Sequence, residues 1–186
     1  MNMEKSVQIL DSGAVIRAIT RLSYEIVEKT DDISNVVLVG IKTRGIPMAK
    51  IIADKIEEHG GPRVPVEHLD ITFYRDDLSR YYEVPLARPA DFSLDLTGKE
   101  VILVDDVIYT GRTIRAAIDA VFSVSRPTKI RLAVLIDRGH RELPIKPDYV
   151  GKNVPTSQKE VIKVNFQEID GCTGVDLFKK GDDSHG

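Results

Sequence analysis

From Ser12 to about Lys29 the residues Val15, Ile16, Ile19, Leu22, Ile26 and Val27 recur at spacings of three and four, which predicts an amphipathic helix. Its opposite stripe carries Arg17, Thr20, Arg21 and Tyr24. Val36 to Ile41 is nearly all apolar and runs into Gly40, Thr43 and Gly45, the pattern of a parallel strand buried on both faces. A second helix follows, with Pro47 in its first turn, a stripe of Ile46, Ala49, Ile52, Ala53 and Ile56, and a stop at Gly60, Gly61 and Pro62. Leu69, Ile71 and Phe73 then alternate with Asp70, Thr72 and Tyr74, which predicts a strand with one polar face.

Arg75 to Gly98 lacks periodicity and contains Pro85, Pro89 and the pair Tyr81 and Tyr82, so it is expected to be a lid or binding arm. Val101 to Val104 is again a continuous apolar strand. Ile114, Ala117, Ile118 and Val121 place a third helix on the core, and Ile130 to Ile136 repeats the strand pattern. This alternation predicts an α/β domain with a mainly parallel sheet and right-handed crossovers.

Composition narrows the setting. A chain of 186 residues that is 42% apolar fits one domain spanning 1–186 and can bury a core. The formal charge of −3 excludes a polycation. The lone Cys172 cannot close an intrachain disulfide or build a thiolate metal cage, and His59, His68, His140 and His185 are scattered, so no metal site is expected in the protein itself. The opening MNMEKSVQILDSG has no apolar core of a secretion signal, and no apolar run of about 18 residues could span a bilayer, so a cytoplasmic protein is expected.

The stretch that carries chemistry is VILVDDVIYTGRT, Val101 to Thr113. A buried strand ends there in two adjacent acids, and a Thr-Gly turn opens the next helix. Ligands of open α/β sheets bind beyond the carboxyl ends of strands. Free amides from Gly111 to Thr113, with the helix dipole behind them and the hydroxyls of Thr110 and Thr113 beside them, suit a phosphate monoester. Asp105 and Asp106 would repel that phosphate at close range but are well placed one sugar away, accepting from ribose hydroxyls. Together these residues describe a phosphoribosyl site. A helix cap and a simple turn are the plainer alternative. Neither GxxxxGK[ST] nor GxGxxG occurs.

That stretch resembles the 13-residue phosphoribosyl diphosphate (PRPP) motif of the type I phosphoribosyltransferases. VGIKTRG (39–45), DITFYRDDLS (70–79) and DRGHRELPIKPDYVGKNVPTS (137–157) resemble one branch of that family, the uracil phosphoribosyltransferases that also regulate pyrimidine operons. The resemblance implies a flexible arm at about 75–98 and a small hood at about 137–157. It implies that Lys42, Thr43 and Arg44 grip the leaving diphosphate, that Arg75 acts on the closing arm, and that Asp105, Asp106, Val107, Tyr109, Thr110, Gly111, Arg112 and Thr113 hold the phosphoribosyl group. Asp137 and Arg138 would border the base or magnesium side, with Mg²⁺ carried mainly by PRPP. Tyr109 stands where purine-salvage relatives commonly carry an aspartate, which argues against a purine base and for uracil, giving UMP and diphosphate.

A second surface is suggested by charge. Between Arg126 and Lys152 seven basic residues stand against three acids, so the remainder of the chain is acidic. The resemblance implies that Thr20, Arg21, Tyr24, Arg141, Lys146 and Lys152 bind a leader mRNA hairpin of a pyrimidine operon when UMP or UTP occupies the nucleotide site, and that the protein is a homo-oligomer. Tyr24 replaces a common histidine and Lys146 an arginine; stacking persists at the first position, while a bidentate fork is lost at the second. Two alternatives remain open: a phosphoribosyltransferase for another base without RNA regulation, and an RNA-binding attenuator with vestigial catalysis.

Overall fold

The protein is described by a computed structural model covering residues 3–71 and 90–180. Its chain order is β1 (Met3–Leu10), α1 (Ser12–Lys29), β2 (Val36–Ile41), α2 (Gly45–Glu58), β3 (Val66–Leu69), β4 (Glu100–Ile108), α3 (Arg112–Val124), β5 (Lys129–Asp137), β6 (Tyr149–Asn153), β7 (Glu160–Asn165), α4 (Gln167–Asp170) and β8 (Gly174–Lys180). Helix α1 starts where the Asp11 carboxylate accepts from the Ala14 amide at 2.7 Å, satisfying one orphan donor. Val15, Ile19, Leu22 and Ile26 form its fully buried stripe. Each such side chain contributes roughly 1.5–3 kcal/mol by leaving water, far more than helix-propensity differences between ordinary residues, so burial fixes this helix.

Five parallel strands form the main sheet in the order β3-β2-β4-β5-β6. Its central strands are buried on both faces, which explains their unbroken apolar runs. Val36, Leu38, Ile102, Val104, Ala133 and Leu135 pack with α1 and α2, while Val37, Val39, Val101, Leu103, Leu132 and Val134 pack with α3. After β2 the chain moves outward to β3, then returns to β4 on the other side of β2. The carboxyl ends of β2 and β4 therefore flank the point where the winding reverses, the place where open sheets leave a crevice.

A separate antiparallel sheet, β1-β8-β7, is built from the two ends of the chain. Its inner residues Val164 and Val175, with Phe166 just beyond β7, join the core under α1 and α2. Of the stretch 137–157 expected as a hood, Tyr149–Asn153 is the outer strand of the main sheet, paired with β5 from Ala133↔Tyr149 to Asp137↔Asn153. The small sheet escapes a sequence reading because β1 lies at the opposite end of the chain from its partner β8.

The strand expected at 69–74 also moves. The ladder runs from Leu38↔Val66 to Ile41↔Leu69 and ends where β2 ends, so Asp70 and Ile71 leave it although Ile71 stays buried. Thr72 to Tyr74 lie outside the described residues, as does most of the expected arm, including Arg75. The far end of that arm, 90–98, is irregular but anchored by the fully buried Leu96, and the buried Glu67 carboxylate accepts from the Ser93 amide and hydroxyl at 3.1 and 2.5 Å. Among the described residues no helix is long and apolar enough to cross a membrane.

Candidate active site at the carboxyl ends of β2 and β4

Strand β4 runs four residues beyond its apolar stretch and carries Asp105 and Asp106 inside the sheet. Asp105 is 7% exposed, and its Oδ1 accepts from the Asp106 amide at 2.9 Å. Burial, then the neighbouring Asp106 charge, holds the Asp105 carboxyl well above the usual carboxylate range. Burial also raises Asp106, against the opposing hydrogen bond from Asp105 and the charge of Arg44.

The turn after β4 is set by Gly111, whose φ of 93° is left-handed and cheap only for glycine. It caps α3 without a side-chain bond, and the Thr110 hydroxyl accepts from the Arg112 amide at 3.3 Å. Val107 to Ile114, with Glu142, line a cavity of about 330 Å³. All the residues of the turn predicted to meet a phosphate thus face one space at a helix amino terminus, where the dipole and unpaired amides favour an anion. Glu142 enters this space because its amide and that of Leu143 donate to the Thr110 carbonyl at 2.9 and 3.2 Å. Its carboxylate accepts from Arg112 Nε at 2.7 Å.

Lys42, Thr43 and Arg44 form the loop after β2, with a cis peptide between Lys42 and Thr43. A Cβ on Gly45 would sit 2.2 Å from the Val104 carbonyl oxygen, and one on Gly40 2.7 Å from Ile46 Cα. Glycine at 45 lets the loop lie against β4, and glycine at 40 lets the start of α2 lie against β2. Lys42 Nζ donates to Asp70 at 2.8 Å in an exposed pair. Arg44 donates from Nε and Nη2 to the two carboxylate oxygens of Asp170 at 3.2 and 2.7 Å. That bond raises the Arg44 pKa and holds the Asp170 carboxyl below its ordinary value.

Asp137 ends β5 and Arg138 follows it beside the turn. The Arg138 amide donates to the Ile108 carbonyl at 3.2 Å, and its buried guanidinium donates to Thr156 Oγ1 and the Glu160 carbonyl at 3.0 and 2.7 Å. Desolvation lowers the Arg138 pKa. The ring of Tyr109 lies against this guanidinium, and His140 meets the same ring edge-on and hydrogen-bonds the Thr156 carbonyl.

The residues predicted to touch RNA separate into two groups. On α1, Thr20 bonds back to the Ile16 carbonyl at 2.8 Å, and Tyr24, 52% exposed, packs against His59 with tilted rings whose centres are 4.3 Å apart. Arg21 Nη2 reaches the Val150 and Gly151 carbonyls of β6 at 3.3 and 2.5 Å, bringing the α1 stripe beside the strand that carries the exposed Lys152. Arg141 is not with them. Its guanidinium donates to Ile145 O, Tyr109 O and Asp137 Oδ2 at 2.9, 2.9 and 2.6 Å, which knits the turn after β4 to the segment after β5. Lys146 is exposed on that same segment.

Sequence reasoning missed Asp170 and Glu142. Asp170 lies 126 residues from Arg44, and Asp-Gly at 170–171 reads locally only as a turn. Glu142 falls within the stretch 137–157, but only the fold of 139–145 turns it towards the cavity. Among the described residues no three His, Cys, Asp or Glu side chains form a group able to hold a metal ion.

Comparison with known proteins agrees with this fold. A model of the phosphoribosyl transferase domain matches residues 6–169. A protein of Acetivibrio thermocellus named bifunctional protein PyrR is 54% identical over 176 residues, covering 94% of this chain and 96% of the relative. The bifunctional protein PyrR of Clostridioides difficile is 53% identical, covering 94% and 99%. Among solved structures, a hypoxanthine phosphoribosyltransferase of Staphylococcus aureus superposes with a TM-score of 0.72 at 17% identity over 94% of this chain and 92% of that one. A mutant of the Trypanosoma cruzi hypoxanthine enzyme, in a ternary substrates complex, gives 0.73 at 16% over 94% and 96%.

Proposed function

The chain belongs to the phosphoribosyltransferase family, and we propose that it transfers the 5-phosphoribosyl group of PRPP to uracil, giving UMP and diphosphate, and that it regulates a pyrimidine operon through its leader mRNA. The observation that carries the first half is the cavity formed by Val107 to Ile114 directly beyond Asp105 and Asp106, with the Arg44 loop pressed beside it by Gly45. Amides from Gly111 to Thr113 and the Thr110 and Thr113 hydroxyls take the 5′ phosphate, leaving the carboxylates one sugar deeper for the ribose hydroxyls. Hydroxyl donors and the charge of Arg44 favour the ionised carboxylates when substrate is bound.

In the reaction the electron pair of uracil N1 forms the bond to ribose C1. The C1–O bond breaks, diphosphate leaves with the electron pair of that broken bond, and the N1 proton passes to solvent. Lys42, Thr43 and Arg44 stabilise the charge growing on the departing group. Tyr109, braced by Arg138, and Asp137 border the base. Arg75, which lies outside the described residues, acts on the arm. Mg²⁺ would be held mainly by PRPP oxygens, with Asp105 and Asp106 as the nearby protein carboxylates, and would supply positive charge against the diphosphate. Uracil N1 is acidic enough to react without a dedicated base, so positioning and charge stabilisation supply most of the acceleration.

The regulatory half rests on Arg21, Tyr24 and Lys152, gathered where α1 meets β6. Hairpin-loop bases stack on Tyr24 while phosphates meet the cations, and UMP or UTP in the nucleotide site favours the complex. The protein acts as a homo-oligomer in the cytoplasm. Incubation with PRPP, Mg²⁺ and either uracil or hypoxanthine, followed by product analysis, tests the enzyme: UMP and diphosphate form from uracil alone. No diphosphate release with either base removes the catalytic reading. Filter binding of a leader hairpin with and without UMP tests the regulator, and affinity untouched by Lys152→Ala and Tyr24→Ala together removes this RNA surface.

A further inference from the structure

Two carboxylates stand near the loop after β2, and they differ in kind. Asp70 pairs with Lys42 through one contact in solvent, a pairing of the sort worth about 0–1 kcal/mol, which an incoming polyanion opens easily. Asp170 meets Arg44 through two parallel bonds at 3.2 and 2.7 Å, with both side chains mostly shielded from water. Its Oδ2 also accepts from the Phe166 amide at 3.0 Å, and the Phe166 side chain is fully buried in the core. The carboxylate is therefore held by the small sheet and its helix α4, not by Arg44 alone. On the other side of Arg44 the backbone at Gly45 lies so close to the Val104 carbonyl that no Cβ would fit there. Among the described residues Nη1 of Arg44 makes no hydrogen bond, and Asp106 lies within electrostatic reach of the guanidinium.

We propose that Asp170 is a positioning residue for diphosphate transfer: it clamps the Nε–Nη2 edge of Arg44 so that the remaining N–H groups stay committed to the departing diphosphate and do not collapse onto Asp106. This rests on the reading of Arg44 as a diphosphate ligand. A planar guanidinium with one edge occupied has its rotation fixed in advance, and preorganised donors stabilise developing charge without reorganising during the reaction. The clamp also gives the small terminal sheet a task, since it ties both chain ends to the loop after β2.

The test is a double-mutant cycle on the full chain, with steady-state kinetics for PRPP and uracil and direct titration with inorganic diphosphate. Asp170→Asn keeps the shape but replaces an acceptor by a donor. It lowers kcat/KM for PRPP by about tenfold or more and weakens diphosphate binding, leaving the KM for uracil unchanged. In an Arg44→Ala background the same substitution costs nothing further in PRPP use, whereas a merely structural role costs the same in both backgrounds. Asp170→Glu, which restores the charge, recovers part of the loss and serves if the asparagine variant folds poorly. Equal losses in both backgrounds, or faster turnover in Asp170→Asn because the carboxylate competes with diphosphate, overturn the inference. If Arg44→Ala itself leaves PRPP and diphosphate binding untouched, the reading of the loop fails; if Arg44→Ala is impaired and Asp170→Asn is not, the positioning role alone fails.

Discussion

The guanidinium of Arg138 lies over the ring of Tyr109, 4.0 Å from its centre, and so joins the end of β5 to the turn that follows β4. Its nitrogens are held from behind by Thr156 and the Glu160 carbonyl, so the arginine acts as a floor for the tyrosine. Arg138→Lys removes both the planar stack and the fork. We expect it to cost about 1–2 kcal/mol of stability and to raise the KM for uracil several-fold while moving that for PRPP little. Urea unfolding and steady-state kinetics check this; an unchanged unfolding midpoint leaves the stack without energetic weight.

Asp105 sets stability against function. Burial and the Asp106 charge raise its folded-state pKa above the ordinary value of 3.8. A carboxyl raised in this way contributes stability that is complete below its unfolded pKa and is lost as pH climbs through the folded one. Near neutral pH, well above the unfolded pKa, that contribution is reduced and the buried Asp105 weighs against the fold. Asp105→Asn, whose Oδ1 can still accept from the Asp106 amide, is expected to be more stable than the parent by on the order of 1 kcal/mol at neutral pH. The difference shrinks towards pH of about 4, where the parent carboxyl is protonated. The same variant uses PRPP roughly tenfold less well because the ribose hydroxyls lose an ionised acceptor. Denaturation at two pH values decides it: an asparagine variant less stable than the parent at neutral pH contradicts the burial argument.

The legible parts of this protein share a cause. Strands buried on both faces leave unbroken apolar runs, so Val36–Ile41, Val101–Val104 and Ile130–Ile136 stand out, and α1 stands out by its buried stripe. The turn at Gly111 is legible because a Thr-Gly turn that opens a helix is written in adjacent residues. What stayed hidden depends on distant pairing. Strand β8 sits between β1 and β7, and Arg44 meets Asp170 across nearly the whole chain. Arg141 reads as one more surface cation in RGHREL. Only the left-handed Gly139 and His140, φ 79° and 59°, fold that segment so that carbonyls surround the guanidinium.

Gly45 is where the start of α2 comes up against strand β4. A methyl group there would lie 2.2 Å from the Val104 carbonyl, a backbone atom in the middle of the sheet that cannot swing aside. The loop would have to lift. Gly45→Ala is expected to cost about 1–3 kcal/mol and to displace Arg44, lowering kcat/KM for PRPP more than tenfold. Thermal unfolding and kinetics measure both; an alanine variant with parental turnover shows that the loop need not lie against β4.

Arg141 separates from the other cations proposed for RNA. Because it spans Tyr109, Ile145 and Asp137, Arg141→Ala is expected to destabilise the fold by about 1–3 kcal/mol and to impair UMP formation as well as hairpin binding. Lys146→Ala and Lys152→Ala alter exposed side chains and should weaken only the hairpin, with a shallower salt dependence and unchanged kinetics. Parallel assays of UMP formation and filter binding at several salt concentrations distinguish the groups. Arg141→Ala with intact catalysis would return that residue to the RNA surface.

Glu142 places a carboxylate on the wall of a cavity proposed for phosphate, where it neutralises Arg112 at 2.7 Å. Both side chains are about half exposed, so their attraction is small, on the order of 0–1 kcal/mol. Its effect on a dianionic guest is larger in kind, because binding must both overcome the repulsion of the carboxylate and win the arginine from it. Glu142→Gln keeps the hydrogen bond to Arg112 and removes the charge. UMP affinity should rise by about two- to fivefold at low salt, and the gain should fade as ionic strength shortens the reach of the carboxylate. Uracil, which carries no phosphate, should bind as before. Calorimetric titration of UMP into parent and variant at low and high salt measures the difference. A weaker complex in the variant would mean that Glu142 orients Arg112 for the phosphate rather than opposing it.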